Sequence, residues 1–246
     1  MRATQVVKAL GPIDARSVGR DSLLRWMVAL PIVVALASRL VLPVVLARLG
    51  DAIKVDLITY YPVVASGALL LISPIITGAV IGFLLLDQRD DGTLTALQVT
   101  PMPMSAYLAY RLAGPVLASL LLTPIAFAIA GLAGTGFAQL LAATVLAAPL
   151  APITALSLAS FAENKVQGFA LMKGASLLLS APLAAYFAPS AWQLAFGVLP
   201  TYWPARLYWA FQAGDPNWWF YLAAGLAYQF LLLAALLRRF NRVLYR

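Results

Sequence analysis

The chain reads as an all-α, polytopic membrane protein with six transmembrane helices, and three observations carry that reading. Of its 246 residues 63% are hydrophobic and 11% charged, where a soluble domain has about 45–50% apolar and about 25% charged residues. Six apolar runs reach the roughly 20 residues that a helix needs to cross about 30 Å of hydrocarbon. The basic residues crowd into alternate connections, as topology signals do. Cysteine and histidine are both absent, which excludes disulfides, thiolate nucleophiles, thiol or imidazole metal ligands and the commonest general base.

In chain order, residues 1–22 carry Arg2, Lys8, Arg16 and Arg20 among scattered apolar positions. They are too polar to span and are expected to form an amphipathic helix on the cytoplasmic membrane surface. No compact apolar core with a small-residue cleavage site follows the first charges, so a cleaved signal peptide is not expected. Spans are expected at about 23–47, 61–86, 107–132, 140–161, 169–187 and 218–237, with a cytoplasmic tail over 238–246, all within a single transmembrane domain of residues 1–246. The N-terminal segment, the second-to-third and fourth-to-fifth connections and the tail, counted with the adjoining span ends that carry Arg25, Arg111 and Lys173, hold 13 of the 17 Lys and Arg. The opposite side holds Arg39, Arg48, Lys54 and Arg206. Both termini are therefore expected in the cytoplasm, and the net charge of +8 is a topology signal. Nucleic-acid binding would need one contiguous basic face instead.

All nine acids, Asp14, Asp21, Asp51, Asp56, Asp87, Asp90, Asp91, Glu163 and Asp215, fall at span ends or in loops. That leaves no buried carboxylate for a proton- or sodium-driven carrier and no pair for a membrane aspartyl protease. Arg39 is the one charge expected within a span, ~21 Å along the helix from Arg25 and near the outer boundary. It reads as an arginine snorkelling to headgroups, with a substrate-facing role or an inter-span ion pair as alternatives. Pro31, Pro43, Pro74, Pro115, Pro124, Pro149, Pro152 and Pro182 interrupt the apolar runs, and such kinks occur in moving and static bundles alike. Gly78 and Gly82 form a GxxxG pair, which permits close helix approach and is weak evidence for a dimer.

Between the second and third spans stands the most charged stretch, DQRDDGTLTALQVTP, residues 87–101. Asp90 or Asp91 is placed to cap a helix, Leu94 and Leu97 share one face, and Pro101 with Pro103 stops it. A two-turn amphipathic helix is expected, suited to a groove on another protein or to a solvated surface loop.

The order of residues in that stretch resembles the acid-x-x-x-x-Gly-Thr-Leu-x-x-Leu-x-x-Thr-Pro signature of type-2 ATP-binding-cassette export permeases, with Asp87 where the family usually has glutamate. The next cytoplasmic turn, Phe161-Ala-Glu-Asn-Lys-Val-Gln-Gly168, is similar to the Asn-Lys-Val-x-Gly turn of small drug-export permeases, the fluoroquinolone export permeases being the nearest subgroup. The resemblance covers nearly the whole chain. It implies the permease subunit of an ATP-driven exporter in the cell membrane, moving an apolar or amphipathic, drug-like compound outward, and no enzyme activity of its own. Asp87, Arg89, Asp90, Asp91, Gly92, Thr93, Leu94, Leu97, Thr100 and Pro101, with Glu163, Asn164, Lys165 and the N-terminal helix, are implied to couple to a cytoplasmic ATPase subunit. The further partners implied are a second permease subunit, as a copy or a paralogue, and membrane lipids. No cofactor or metal is expected on this chain, because it lacks a G-x-x-x-x-G-K-[ST] phosphate loop. ATP and Mg²⁺ belong to the ATPase. The alternative is a membrane scaffold or lipid-handling subunit that docks an ATPase without transporting a drug.

Five of the six tryptophans, Trp192, Trp203, Trp209, Trp218 and Trp219, lie between the last two spans. Because Trp and Tyr favour the membrane–water interface, an aromatic belt is expected there, with a short helix around Ala205 to Gln212 lying in or dipping into the outer leaflet. The resemblance implies that such a segment shapes the outer exit, which makes Tyr202, Trp203, Arg206, Tyr208 and Trp209 candidate exit residues.

Overall fold

The computed structural model of the chain describes residues 11, 16–54, 60–93, 104–131 and 134–244, and the regular elements among them are all helical. Asp21 opens the first long helix: its Oδ1 accepts the backbone N–H groups of Leu23 at 2.9 Å and Leu24 at 3.3 Å, satisfying donors that have no partner inside the helix. Helix α1 then runs over Ser22–Ile53.

The second crossing is compound. Helix α2, Tyr61–Ala65, passes through a π-helical turn, Ser66–Leu70, into α3, Ile72–Asp90. The ladder widens by one residue just before Pro74, which has no N–H to offer the carbonyl of Leu70. Helix α4 covers Met104–Ala130 and ends on Gly131, whose φ of 69° is the left-handed conformation common at helix C-termini. The fourth crossing is split at Pro149 into α5, Phe137–Ala147, and α6, Leu150–Phe161. Helix α7 follows at Lys165–Phe187. After it come the short α8, Ser190–Gln193, a 3-10 turn, Leu194–Val198, then α9, Tyr202–Ala213, and α10, Trp218–Leu244.

Five helical segments among the described residues are long and apolar enough to cross a bilayer: Ser22–Leu49, Pro62–Asp90, Ala106–Ala130, Phe137–Phe161 and Trp218–Arg242. The expected fifth span corresponds to α7, 23 residues long and interrupted by Lys173. It begins with Lys165 3.1 Å from Asp87 at one end of the second crossing and finishes with Phe187 5.4 Å from the Tyr60 ring at the other. Helix α7 therefore runs the full length of that crossing.

The second crossing is the axle of the bundle, with 83% of its most apolar stretch buried against 11%, 28% and 17% for the first, third and last. Its closest neighbour is α6, and glycine makes the approach possible. A Cβ on Gly78 would stand 2.1 Å from the Ala151 carbonyl oxygen, and one on Gly82 2.7 Å from Leu158 Cδ1. The GxxxG pair is thus used within one chain. This corrects its reading as a sign of a dimer.

The stretch after α7 turns inward. Gln229 lies 11 residues into α10, about 16 Å from its start at 1.5 Å per residue, and its Nε2 donates to the Pro200 carbonyl at 3.1 Å. Tyr228 Oη donates to the carbonyl of Val198, and Trp203 Nε1 donates to that of Gly197 at 2.9 Å. The turn at residues 199–201 therefore sits beside the middle of α10 with its carbonyls satisfied by side chains, as irregular backbone at membrane depth requires. From there α9 rises to Gly214, φ 66°, where the Asp215 N–H closes on the Ala210 carbonyl at 2.9 Å.

Besides Lys173 of α7, two charges among the described residues lie away from the ends of the crossings, where the sequence reading allowed one. Arg39 on α1 donates to the Ile129 carbonyl at 3.1 Å, at the negative end of α4. The inter-span contact exists, made to a backbone carbonyl and not to an acid. Arg111, counted with the cytoplasmic charges, lies instead two turns inside α4 and is 1% exposed. Its burial is tolerable because its Nε donates to Tyr107 Oη at 3.0 Å and its guanidinium lies 5.3 and 6.0 Å from the Tyr107 and Tyr110 ring centroids.

Candidate coupling site

The charged motif residues gather at the end of the bundle where α3 stops and α7 starts. Asn164 caps α7, accepting the Gln167 N–H at 3.0 Å, while the Gln167 side chain reaches back to the Glu163 N–H at 2.9 Å and to the Glu163 carboxylate at 3.2 Å. This reciprocal cap fixes the backbone on which Lys165 is carried. Gly168 lets α7 lie directly on α3, since a Cβ there would be 2.9 Å from both Leu86 and Phe83. The Asn-Lys-Val-x-Gly turn thus divides into a cap, a cation and a contact surface.

Lys165 Nζ stands 2.7 Å from Asp21 Oδ2 and 3.1 Å from Asp87 Oδ2. One half-buried ammonium holds the start of α1 and the end of α3 against the start of α7. The hydrogen bond from Lys165, aided by those from the Leu24 and Leu23 N–H groups, holds the Asp21 carboxyl below its ordinary range. Burial works against the Lys165 charge, but its bonds to Asp21 and Asp87 outweigh burial and raise the ammonium pKa. Asp87 therefore reaches a partner despite having one methylene fewer than glutamate.

Next to it Arg89 reaches across to α6, donating to the carbonyl of Ala159 at 3.3 Å and to that of Ala162. Gln88 accepts from Tyr107 Oη, which in turn accepts from Arg111. Gly11, from the basic N-terminal segment, lies against Tyr110, its Cβ position 3.8 Å from the phenol oxygen. At the tail end Arg239 stacks over Phe161 at 4.1 Å. Beyond this joint Asp90, Asp91, Gly92 and Thr93 are exposed. Asp91 caps the C-terminal end of α3 and Gly92, φ 69°, turns the chain away. Leu94, Leu97, Thr100 and Pro101 lie outside the described residues, as does most of the N-terminal segment.

The candidate exit residues are placed differently from a lipid-facing belt. Tyr202, Tyr208 and Trp209 are buried in the protein core beside Phe127, Leu69 and Leu140. Trp209 Nε1 donates to Ser66 Oγ at 3.0 Å, tying α9 to the π-helical turn. Trp203 is half-buried, and Arg206 is taken up by Tyr221 Oη at 2.9 Å and by Asp215 at 3.9 Å. Trp192, Trp218 and Trp219 are instead exposed.

Sequence reasoning missed Asp21 as the second anion on Lys165 and the Gln88–Tyr107–Arg111 relay. Both had a signal: an aspartate directly before an apolar run is a helix cap, and Tyr107 and Arg111 are spaced i, i+4. Among the described residues no cluster of three or more Asp, Glu, His or Cys forms a metal centre.

Five helices long and apolar enough to cross a bilayer mark a multi-pass membrane protein. The family described as "Fluoroquinolones export permease protein Rv2686c-like" matches residues 14–237, and the chain belongs to that family. Two relatives from Mycobacterium tuberculosis are similar to it: "Fluoroquinolones export permease protein MT2760" of strain CDC 1551 / Oshkosh, and "Fluoroquinolones export permease protein Rv2686c" of strain ATCC 25618 / H37Rv. Each is 35% identical over 239 residues, spanning 96% of this chain and 94% of the relative. No solved structure matches significantly.

Proposed function

We propose that this chain is the membrane subunit of an ATP-driven exporter that moves fluoroquinolone-like, amphipathic compounds out of the cell. The observation that carries the proposal is 35% identity over 96% of the chain to permeases named for that export. The geometry supports a coupling role for the rim of the bundle. Asp90, Asp91, Gly92 and Thr93 project from a base fixed by Lys165 and Arg89, leading into the stretch of Leu94, Leu97, Thr100 and Pro101 that would enter a groove on the ATPase. ATP and Mg²⁺ would be bound by that ATPase.

In this reading α7 is the fifth of six crossings, and the rim carrying Lys165, Arg89 and Arg239 faces the cytoplasm. A cavity of about 60 Å³ between Ile75, Leu150, Thr154, Leu171, Met172 and Thr201 is far below the roughly 300 Å³ or more of a drug-sized site. In the same reading a second permease subunit would complete the passage, with Trp203 and Arg206 at its outer exit.

Purification of the chain with its ATPase, followed by ATP hydrolysis measured with and without a fluoroquinolone, tests the proposal. Drug-stimulated hydrolysis and lower drug accumulation in cells expressing the complex are expected. A complex that hydrolyses ATP with no response to any fluoroquinolone and no effect on accumulation leaves the scaffold or lipid-handling alternative. For docking, Leu94→Asp is expected to abolish ATPase recovery in a pull-down; undiminished recovery removes the connector as the main contact.

A further inference from the structure

Asp87, Asp90 and Asp91 occupy the last turn and C-terminal cap of α3, the end of a helix where negative charge is disfavoured. Helix stability alone would select lysine or a neutral residue at these positions. Asp87 is kept in contact with Lys165, yet the side chains of Lys165, Asp21 and Asp87 are 29%, 28% and 35% exposed. A pair this accessible to water contributes little to stability. The cluster is thus a weak stabiliser in a costly place. The same α3 end is held on its other side by Arg89, which among the described residues bonds to the backbone carbonyls of Ala159 and Ala162 at the end of α6. The two attachments differ in kind. Arg89 tethers α3 to α6 through carbonyls that stay put, whereas Lys165 divides one charge between carboxylates on two different helices and can release either without leaving itself unpaired.

We infer that Lys165 is a breakable joint between the connector and the bundle: by exchanging Asp87 against Asp21 it lets the end of α3 move relative to α1 and α7 when the ATPase pulls on the connector. Lys165 and Asp21 are positioning residues for transport. They act through the connector and touch neither ATP nor drug. The inference rests on the export reading above.

The test uses the complex of permease and ATPase, with a fluoroquinolone as probe. Asp21→Asn is the mild variant, because asparagine still caps α1 and only the ion pair is lost. Lys165→Met removes the joint, and Lys165→Arg keeps a two-carboxylate cation. In Lys165→Met the ratio of drug-stimulated to basal hydrolysis, measured on complex of equal ATPase content, is expected to fall to about one and export to be lost. Asp21→Asn is expected to lower the ratio by at least half, and Lys165→Arg to restore most of it. Wild-type stimulation ratios in both Lys165→Met and Asp21→Asn overturn the inference. So does a Lys165→Met complex that fails to assemble while Asp21→Asn keeps the full ratio, which would make Lys165 a folding residue. If the wild-type complex itself shows neither stimulation nor export, the export reading fails first, and the two failures are told apart.

Discussion

Replacing Gly78 with alanine adds one methyl group where the structure has no room for it. The new Cβ would be 2.1 Å from the Ala151 carbonyl oxygen and 2.9 Å from Ala151 Cα, against a normal contact of about 3.5 Å. Neither atom is the end of a flexible side chain, so α3 and α6 must part by roughly 1.4 Å at their crossing. A gap of that order forfeits up to about half of the dispersion energy of the atoms lining it. Overpacking typically costs 1–3 kcal/mol, and backbone opposing backbone in the most buried crossing puts Gly78→Ala at about 3 kcal/mol. At roughly 2–4 °C per kcal/mol for a chain of this size, a melting temperature lower by about 6–12 °C is expected in detergent. Gly82→Ala should cost less, since the nearest atoms belong to the Leu158 side chain. Gly114→Ala, with nothing within 4 Å of its Cβ position, should stay within about 1 kcal/mol of wild type. Thermal unfolding followed by size-exclusion chromatography ranks the three. A Gly78→Ala protein that melts with wild type but loses self-association would refute intramolecular use of the glycine pair.

Gln229→Leu leaves the Pro200 carbonyl unpaired, which costs about 1–3 kcal/mol; it should lower the melting temperature and open residues 194–201 to proteolysis, whereas unaltered protection would show that the turn does not depend on α10. Asn164→Ala removes the α7 cap and is expected to cost about 1 kcal/mol, with Asn164→Asp close to wild type, as read by the same melts. The ionic joint should be insensitive to pH over a wide range. Asp21, with its pKa depressed, contributes above its ordinary 3.8 and loses that contribution as pH falls through the lower folded value. Lys165, with its pKa raised, contributes below its ordinary 10.5 and loses it as pH rises through the higher folded value. The melting difference between wild type and Lys165→Met should therefore be flat from about pH 5 to 9 and shrink below about pH 4; a slope within the flat window contradicts the pairing.

The parts of this protein legible in its sequence are those encoded by neighbours along the chain. Apolar runs of spanning length mark the crossings, and the spacing from Asn164 to Gln167 is enough by itself to specify a helix cap. Motif residues Asp87 and Lys165 stand out separately; that they meet each other, with Asp21 on the same ammonium, is a fact of three helices from distant parts of the sequence. The glycine pair shows the same limit. GxxxG specifies close approach and leaves the partner open, and the partner proved to be α6. Arg111 looked cytoplasmic because it stands close to a polar connection, yet Tyr107 one turn earlier made burial possible. The aromatic stretch was the hardest to place. Hydropathy scores a tryptophan alike whether it faces outward or into protein, so it does not distinguish the exposed Trp192 and Trp219 from Trp209, which lies in the core.

The inward turn at residues 199–201 has a consequence for how the protein is made. Two carbonyls at this turn, those of Val198 and Pro200, are satisfied by Tyr228 and Gln229, side chains synthesised some thirty positions later. Until α10 has been inserted, moving this stretch into lipid would strand those groups without partners, at several kcal/mol each. The aromatic hairpin must wait outside the hydrocarbon during synthesis and enter last. The final helix is thus the template on which this part of the bundle closes, and loss of Gln229 should act first on biogenesis.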